Sequence, residues 1–312
     1  MSKMESENKI QSAYIAGLGA IGGAFGAKIQ EIKPESLRII CNQERVRRYT
    51  KQGVLVNGKA YTFRYLEPGG NAPAADLILI AVKHHQLSQA IEDIKKFVSK
   101  DTIILSLLNG ISSEEIIGEA FGAEHVLPSI VVGTDSVRVN TNIRYTSIGK
   151  IVFGASIPYA HSKKIAAVRS FFEDVQIPHT VSDNILRDLW WKFMVNVGVN
   201  QASTILRAPY GVFQKIGDAQ ELMVSAAREV IQLSQKAGIH LNQNDLAEFI
   251  RIINALAPEG KTSMLQDIEA GRKTEVEIFA GTVLALGRQY KIQTPVNEIL
   301  YKIITIMEKM NL

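Results

Sequence analysis

Cysteine is nearly absent: Cys41 is the single one among 312 residues. An intrachain disulfide is therefore impossible, and a zinc site built on cysteines nearly so. The chain suits a reducing cytoplasm, which is the expected location. Long apolar runs are absent too. The longest, such as Leu77 to Val82, fall far short of the roughly 20 residues a membrane span needs, so no membrane partner is expected. The start, Met1 to Lys9, is too polar for a signal peptide. Neither sign of charge dominates, since 35 Lys and Arg against 31 Asp and Glu leave +4. The basic residues are scattered, which argues against a nucleic-acid partner. A smaller anion, such as a phosphorylated cofactor or a carboxylate, fits this balance equally well. No H-E-x-x-H, C-x-x-C or G-x-S-x-G occurs, and no Gly-Lys-Ser or Gly-Lys-Thr follows a glycine loop. His84-His85 is the one histidine pair, and nothing at ligand spacing supports it. It reads as a loop at a strand end, and no metal is expected.

What is present is the composition of a globular enzyme. The hydrophobic fraction is 46% and the charged fraction 21%, too apolar and too weakly charged for disorder. At roughly 150 residues per domain the length suggests two domains.

Short apolar runs mark strands at Tyr14–Ala16, Arg38–Cys41, Asp76–Lys83 and Thr102–Asn109. They do not alternate with polar residues, as expected for strands buried on both faces of a parallel sheet. Val54 to Arg64 reads as a hairpin around Asn57-Gly58. Helices are expected over Gln86–Val98 and from Ser112, with a capping box ending at Glu115. Further strands are expected at Val126–Val132, Arg144–Thr146 and Ile151–Gly154. After about Asp183 the periodicity becomes helical as far as Leu312. The fold class is therefore an α/β Rossmann-type domain with a mostly parallel sheet, residues 1–183, followed by an all-α domain, residues 184–312. The two are expected to join directly and share a cleft that holds the active site.

Gly17-Leu18-Gly19-Ala20-Ile21-Gly22 follows the first strand and opens a helix. In such a loop the first glycine allows the tight turn, the second lets backbone approach a pyrophosphate, and the third allows close helix packing. The helix start supplies free N–H groups and partial positive charge. At the end of the second strand, where an acid would bind the 2′-hydroxyl of NAD, the sequence reads Cys41-Asn42-Gln43. Arg45, Arg47 and Arg48 follow. An uncharged strand end with arginines nearby favours a 2′-phosphate, hence NADP(H). The same arginines also fit the solvated face of a helix.

Ile185 to Ser203 is apolar almost all round, as expected of a central, buried helix. Its polar residues Asp188, Lys192, Asn196 and Asn200 form one row, because four-residue steps drift only about 40° around a helix. Buried amides and a lysine need partners. They serve either an internal packing network or a polar ligand, and a substrate site is favoured. A second row at Ser263, Asp267, Gly271 and Glu275 would share a face only if one helix ran through Gly271. Thr274 to Glu277 instead looks like a capping box starting a new helix, with Glu275 exposed in its first turn.

These features together resemble the ketopantoate reductases (2-dehydropantoate 2-reductases). The resemblance runs from Gln11 to about Ile303. It rests on ordered motifs: Gly17 to Gly22; Lys83-His-His-Gln86 after a strand; Leu108-Asn109-Gly110; Trp191-Lys192 with Asn196 and Asn200; Ser263-Met-Leu-Gln-Asp267; Arg272-Lys-Thr-Glu275; and Thr294-Pro-Val-Asn297. It implies a catalytic lysine and proton donor at Lys192, with Glu275 as the acid working beside it at nicotinamide and substrate. Asn109 is implied at the cofactor–substrate junction. Asn196, Asn200 and Ser263 are implied as substrate ligands, with Asp267 in the same motif. Lys83 and Gln86 are implied near the ribose and 2′-phosphate. Two positions depart from the family pattern. Asn42 stands where members often carry the arginine of the 2′-phosphate site, a role Arg45 can take. Tyr210 stands before Gly211 where many members carry a substrate-binding asparagine.

The reading is NADPH-dependent reduction of ketopantoate to pantoate, on the route to pantothenate and coenzyme A. The partner is a small 2-keto acid, and a homodimer stays open. Two alternatives also stay open: reduction of another 2-keto or β-hydroxy acid, and a non-catalytic NADP-binding regulatory protein.

Overall fold

A computed structural model describes residues 9–156 and 161–311. The polar start and Leu312 fall outside the described residues. The chain forms two compact units, Met1–Ile185 and Leu186–Leu312.

The first unit is built on a five-stranded parallel sheet. Its strands are β1 (Ala13–Ala16), β2 (Leu37–Ile40), β5 (Tyr65–Leu66), β6 (Leu77–Ile80) and β7 (Ile103–Ser106), in spatial order β5-β2-β1-β6-β7. Residues of both parities are buried. Ile15, Ile39, Leu79 and Leu105 enter one core, while Tyr14, Ile40, Ile78 and Ile104 enter another. That is why these strands read as unbroken apolar runs. Helix α1 (Ala20–Ile32) links β1 to β2, and α2 (Gln43–Gln52) follows β2. The expected hairpin is present as β3 (Val54–Val56) and β4 (Lys59–Tyr61), turning at Asn57-Gly58 with both residues at positive φ.

Several expectations need correction. The strand expected over Val126–Val132 is broken at Pro128. Val126 bridges Ile104 beside the parallel sheet, while β8 (Ser129–Val132) pairs antiparallel with β11 (Lys150–Phe153) in a separate sheet with β12 (His179–Val181). Proline has no N–H to donate to a ladder, so pairing changes partner there. The strand expected at Arg144–Thr146 is β10 (Asn142–Arg144). It pairs antiparallel with β9 (Val137–Val139) and parallel with β3. Thr146 and Ser147 instead donate backbone N–H groups to the Asp135 carboxylate at 3.0 and 2.9 Å.

The helix expected over Gln86–Val98 is α3 (Leu87–Ile94), with a 3-10 turn at each end. Its buried residues Leu87, Ala90, Ile91 and Ile94 keep the helical spacing. His84 and His85 lie in the first of those 3-10 turns rather than in a loop. Helix α4 (Ser113–Phe121) starts as expected, but Ser112 makes no side-chain cap because its backbone is already helical. After helix α5 (Ser162–Asp174), β12 is the last strand of the unit.

The second unit is helical: α6 (Ile185–Leu206), α7 (Tyr210–Lys215), α8 (Gly217–Lys236), α9 (Gln243–Ala255), α10 (Ser263–Glu269), α11 (Ala280–Tyr290) and α12 (Pro295–Asn311). Helix α6 meets α8 and α9 at Gly198. A Cβ on Gly198 would lie 2.9 Å from both Met223 O and the Phe249 ring, so glycine there lets α8 and α9 approach closely. Arg187 donates to both oxygens of Asp245 at 2.7 and 2.9 Å, tying α6 to α9. Among the described residues no helix is long and apolar enough to cross a membrane.

Candidate active site

All strands of the main sheet are parallel, so the segments leaving their C-terminal ends share one edge. That edge collects the glycine loop after β1, Asn42 and Arg45 after β2, Lys83 and Gln86 after β6, and Asn109 after β7. The chain steps outward from β1 to β2 and later resumes on the other side of β1 with β6. Ligands of open α/β sheets bind at such a switch point.

The glycine loop shows a separate physical demand at each glycine. Gly17 has φ +104°, and a Cβ there would lie 2.6 Å from Ala81 O. A Cβ on Gly22 would lie 2.0 Å from Gly17 O, so the first turn of α1 can close on the loop only with glycine. Gly19 differs, because a Cβ would meet only Ala81 O, at 3.6 Å. No second contact lies within 4 Å of that position. No side chain caps α1, whose N-cap is Gly19, so Ala20, Ile21 and Gly22 begin a helix with anion-binding character.

At the end of β2, Asn42 accepts the Arg45 N–H at 3.0 Å and caps α2. Arg47 donates to Gln43, and Arg48 lies over the Tyr49 ring. These two belong to the exposed helix face, while Arg45 is half-buried. Cys41 is buried, and desolvation pushes its thiol up to about 11, so it stays protonated. At the end of β6 the Gln86 side chain accepts the Lys83 N–H at 3.4 Å, which sets the two residues in one tight turn. Asn109 is half-buried and precedes Gly110, whose φ is +92°.

In the second unit the row on α6 grades inward. Asp188, Lys192 and Asn196 are half-buried and Asn200 is buried. Asn200 Nδ2 donates to Asn196 Oδ1 at 3.1 Å, and Ser263 Oγ approaches Asn200 Oδ1 at 3.5 Å. Three of the expected substrate ligands are thus brought together. Thr262 Oγ1, one residue before Ser263, caps α10 by accepting the Leu265 N–H and donates to Ser203 Oγ, which seats α10 against α6. Asp267 is buried and accepts from Arg272 Nε at 2.9 Å, closing the turn after α10.

The second row does not lie on one helix, because the chain turns at Gly271 with φ +64°. The expected capping box at Thr274 does not form. The Thr274 N–H and hydroxyl both go to Glu308 Oε1, at 2.6 and 2.5 Å, and Glu277 accepts from the Tyr301 hydroxyl. The chain forms a 3-10 turn at Val276–Ile278 instead, with Glu275 as its N-cap. Glu275 is buried, 7% exposed, rather than a surface acid. Tyr210 begins α7 against the loop between α9 and α10, where its N–H donates to Gly260 O at 2.9 Å. Burial raises the pKa of its phenol, which stays neutral.

Two groups escape sequence reasoning. Arg138, on β9, donates to the Leu18 carbonyl inside the glycine loop. Its strand is short and its flanking valines are exposed, so no local pattern marks it. Gln201, Asn297 and Glu229 form a buried chain in the second unit. Gln201 Nε2 donates to Asn297 Oδ1 at 2.9 Å, and Asn297 Nδ2 donates to Glu229 Oε2 at 2.7 Å. Asn297 stands in the motif that carries part of the resemblance, but its partners lie far away in sequence.

Residues 13–157 match the family described as Ketopantoate reductase PanE/ApbA, and residues 184–308 match its C-terminal domain. The 2-dehydropantoate 2-reductase of Aquifex aeolicus is 26% identical over 97% of this chain and 99% of its own length. That of Streptococcus pyogenes serotype M1 is 24% identical over 90% and 93%. Among solved structures, D-mandelate dehydrogenase with NADH and anilino(oxo)acetate superposes with a TM-score of 0.86 at 23% identity, covering 96% of this chain and 99% of that one. A dimeric ketopantoate reductase from Staphylococcus aureus superposes with a TM-score of 0.80 at 20% identity, covering 96% and 100%. These structures share the fold. With both of its units matched, the chain belongs to the ketopantoate reductase PanE/ApbA family of oxidoreductases.

Proposed function

We propose that the chain is a cytoplasmic, NADPH-dependent reductase that converts 2-dehydropantoate (ketopantoate) to pantoate. The observation that carries this reading is the row on α6, where Lys192 stands one turn before the linked amides of Asn196 and Asn200. A half-buried cation one turn from two linked amides suits a ligand that carries polar groups. A short acid with a carboxylate, a keto oxygen and a hydroxyl supplies such groups.

The first unit fits a nicotinamide dinucleotide. Gly19 has open space beside it, the start of α1 carries no side-chain cap, and the end of β2 carries no acid. The uncharged strand end with Arg45 near it favours the 2′-phosphate form. Lys83, Gln86 and Asn109 complete the cofactor set. Bound NADPH supplies the hydride that reduces the C2 carbonyl. Lys192 stabilises the negative charge developing on the C2 oxygen and donates the proton that completes the alcohol. Glu275 is the acid that works with it. Asn196, Asn200 and Ser263 offer amide and hydroxyl groups to the substrate's carboxylate and hydroxyl. Asp267, paired with Arg272, closes the turn that follows this motif.

The test is NADPH oxidation by the purified protein with ketopantoate, beside a panel of other 2-keto and β-hydroxy acids. Rapid turnover of ketopantoate is expected. Tyr210 supports a second reading, a different 2-keto acid, because a phenol stands where many members carry a substrate-binding asparagine. Preferential turnover of another acid in the panel would establish that reading. Tight NADPH binding with no turnover of any acid would overturn catalysis and indicate a regulatory protein.

A further inference from the structure

Arg138 lies in the middle of β9 and is tied on three sides. Its guanidinium donates to the Leu18 carbonyl, to the Tyr49 hydroxyl at 3.3 Å and to Asn140 O at 2.6 Å. It also stacks on the Tyr49 ring, 5.5 Å from the centroid. A planar fork held by that many partners has little rotamer freedom left. Its cross-strand partner on β10 is Ile143, and such partners project from the same face of a hairpin. Ile143 Cδ1 occupies the place of the missing Gly23 side chain, 2.0 Å from where a Cβ would stand. One face of the β9–β10 hairpin is therefore laid against the glycine loop and the first turn of α1, with one apolar and one cationic contact.

The cationic contact has a geometric consequence. In a trans peptide the C=O of one residue and the N–H of the next point in opposite directions. A guanidinium fixed on the Leu18 oxygen therefore aims the Gly19 N–H away from the hairpin. Gly19 is also the loop position with room beside it, whereas Cβ atoms on Gly17 and Gly22 would collide with protein at 2.6 and 2.0 Å. We propose that Arg138 is a positioning residue for dinucleotide binding. Through the Leu18 carbonyl it sets the direction of the Gly19 N–H that the loop offers to the cofactor pyrophosphate. This inference rests on the glycine loop being a dinucleotide site. Tyr49 and Ile143 hold the clamp in place, and neither Arg138 nor Ile143 needs to touch the cofactor.

The test compares wild type, Arg138→Met and Arg138→Lys in titrations with NADPH and NADH. Adenosine 2′-monophosphate, which has no pyrophosphate, is the control ligand. Arg138→Met is expected to weaken binding of the preferred dinucleotide about tenfold, the scale of one hydrogen bond to a charged group. Binding of the monophosphate should not change. In steady state the cofactor KM should rise with little change in kcat. Arg138→Lys keeps a cation and one donor, so it should recover part of the loss. If Arg138→Met fails to fold, Arg138→Lys carries the test with a smaller loss in the same direction. Unchanged dinucleotide affinity in the variants would overturn the proposal, and so would an equal loss for the dinucleotide and the monophosphate. A wild type that binds neither dinucleotide would overturn the functional reading and this inference together. A wild type that binds well while its variants bind equally well would sink this inference alone.

Discussion

Asn200 donates its side-chain amide to Asn196 Oδ1 across one turn of α6, at 3.1 Å. The direction of that bond fixes what Asn196 has left to offer. Its oxygen already accepts one bond, and its NH2 is a donor suited to a carboxylate or keto oxygen. Asn196→Asp replaces that donor with an anionic acceptor of the same size. The KM for the keto acid should rise by about a hundredfold or more, the scale of about 3 kcal/mol for an unpaired or repelling charge in a ligand site. The cofactor KM should stay near wild type. A keto-acid KM that does not change would remove Asn196 from substrate binding.

Lys192 stands one turn before Asn196 on the same row. If it donates the proton to the C2 oxygen, Lys192→Ala should lower kcat by about 10²–10⁴, the usual contribution of a general acid. NADPH affinity should be retained, because the dinucleotide loop lies in the other unit. Fluorescence titration of the cofactor alongside single-turnover kinetics separates the two effects. Near-normal turnover would rule out the proposed mechanism.

The parts of the fold that were legible in sequence are those set by local demands. The runs holding Ile78 and Ile104 are continuous because both sheet faces are buried. The Gly22 position is enforced within the motif itself, by Gly17 O, although Gly17 also answers to Ala81 O at the end of β6. The α6 row stands out because the helix around it is apolar. What was not legible depends on distant partners. Glu275 is buried beside Thr274, which is bound to Glu308 on α12, a contact that no local pattern announces. Gln201 meets Asn297 across 96 residues. Arg138 reaches the glycine loop across 120 residues from a strand of three. The break at Pro128 was visible as a residue, but the change of sheet partner was not.

The glycine loop allows a separation of folding from binding. Gly22→Ala would put a Cβ 2.0 Å from Gly17 O, a backbone atom that cannot step aside. Overpacking of that kind should cost about 1–3 kcal/mol of stability. Gly19→Ala would place its Cβ 3.6 Å from the nearest protein atom. It should therefore fold with wild-type stability and lose dinucleotide affinity instead, because the methyl occupies the space kept open for backbone approach. Urea denaturation and cofactor titration of both variants check the pair. Equal stability losses would show that Gly19 is held by packing rather than by a ligand.

Arg45 is the half-buried arginine near the end of β2, while Arg47 and Arg48 are held on the exposed face of α2. Asn42 is occupied in capping that helix. If Arg45 meets the 2′-phosphate, Arg45→Ala should weaken NADPH by about tenfold or more, as for other charge-assisted contacts. NADH should bind as before. The variant would then approach equal use of the two cofactors in side-by-side kcat/KM measurements. Equal losses for NADPH and NADH would take Arg45 out of phosphate recognition and leave it a structural role.

Glu229 anchors the start of α12 from α8. Its carboxylate accepts the N–H groups of Val296 and Asn297 at 2.8 and 3.0 Å and the Asn297 side-chain amide at 2.7 Å. Asn297 passes the network on to Gln201 of α6 and also donates to Ala226 O. All three side chains are buried. Asn297→Ala would remove a donor from the buried carboxylate and an acceptor from Gln201 at once. The expected cost is about 3 kcal/mol, because polar groups left unsatisfied in the interior lose solvation without compensation. Glu229→Gln removes the charge and keeps one acceptor oxygen, which can serve the two Asn297 donors while its NH2 faces the Val296 N–H, so it should cost about 1.5–3 kcal/mol, the scale of one charge-assisted bond. Chemical denaturation of both variants gives the comparison, with cofactor binding by the first unit as a control that should not move. A smaller loss for Asn297→Ala than for Glu229→Gln would mean that the carboxylate's hold on the α12 backbone, not the Asn297 side chain, carries the stability of this junction.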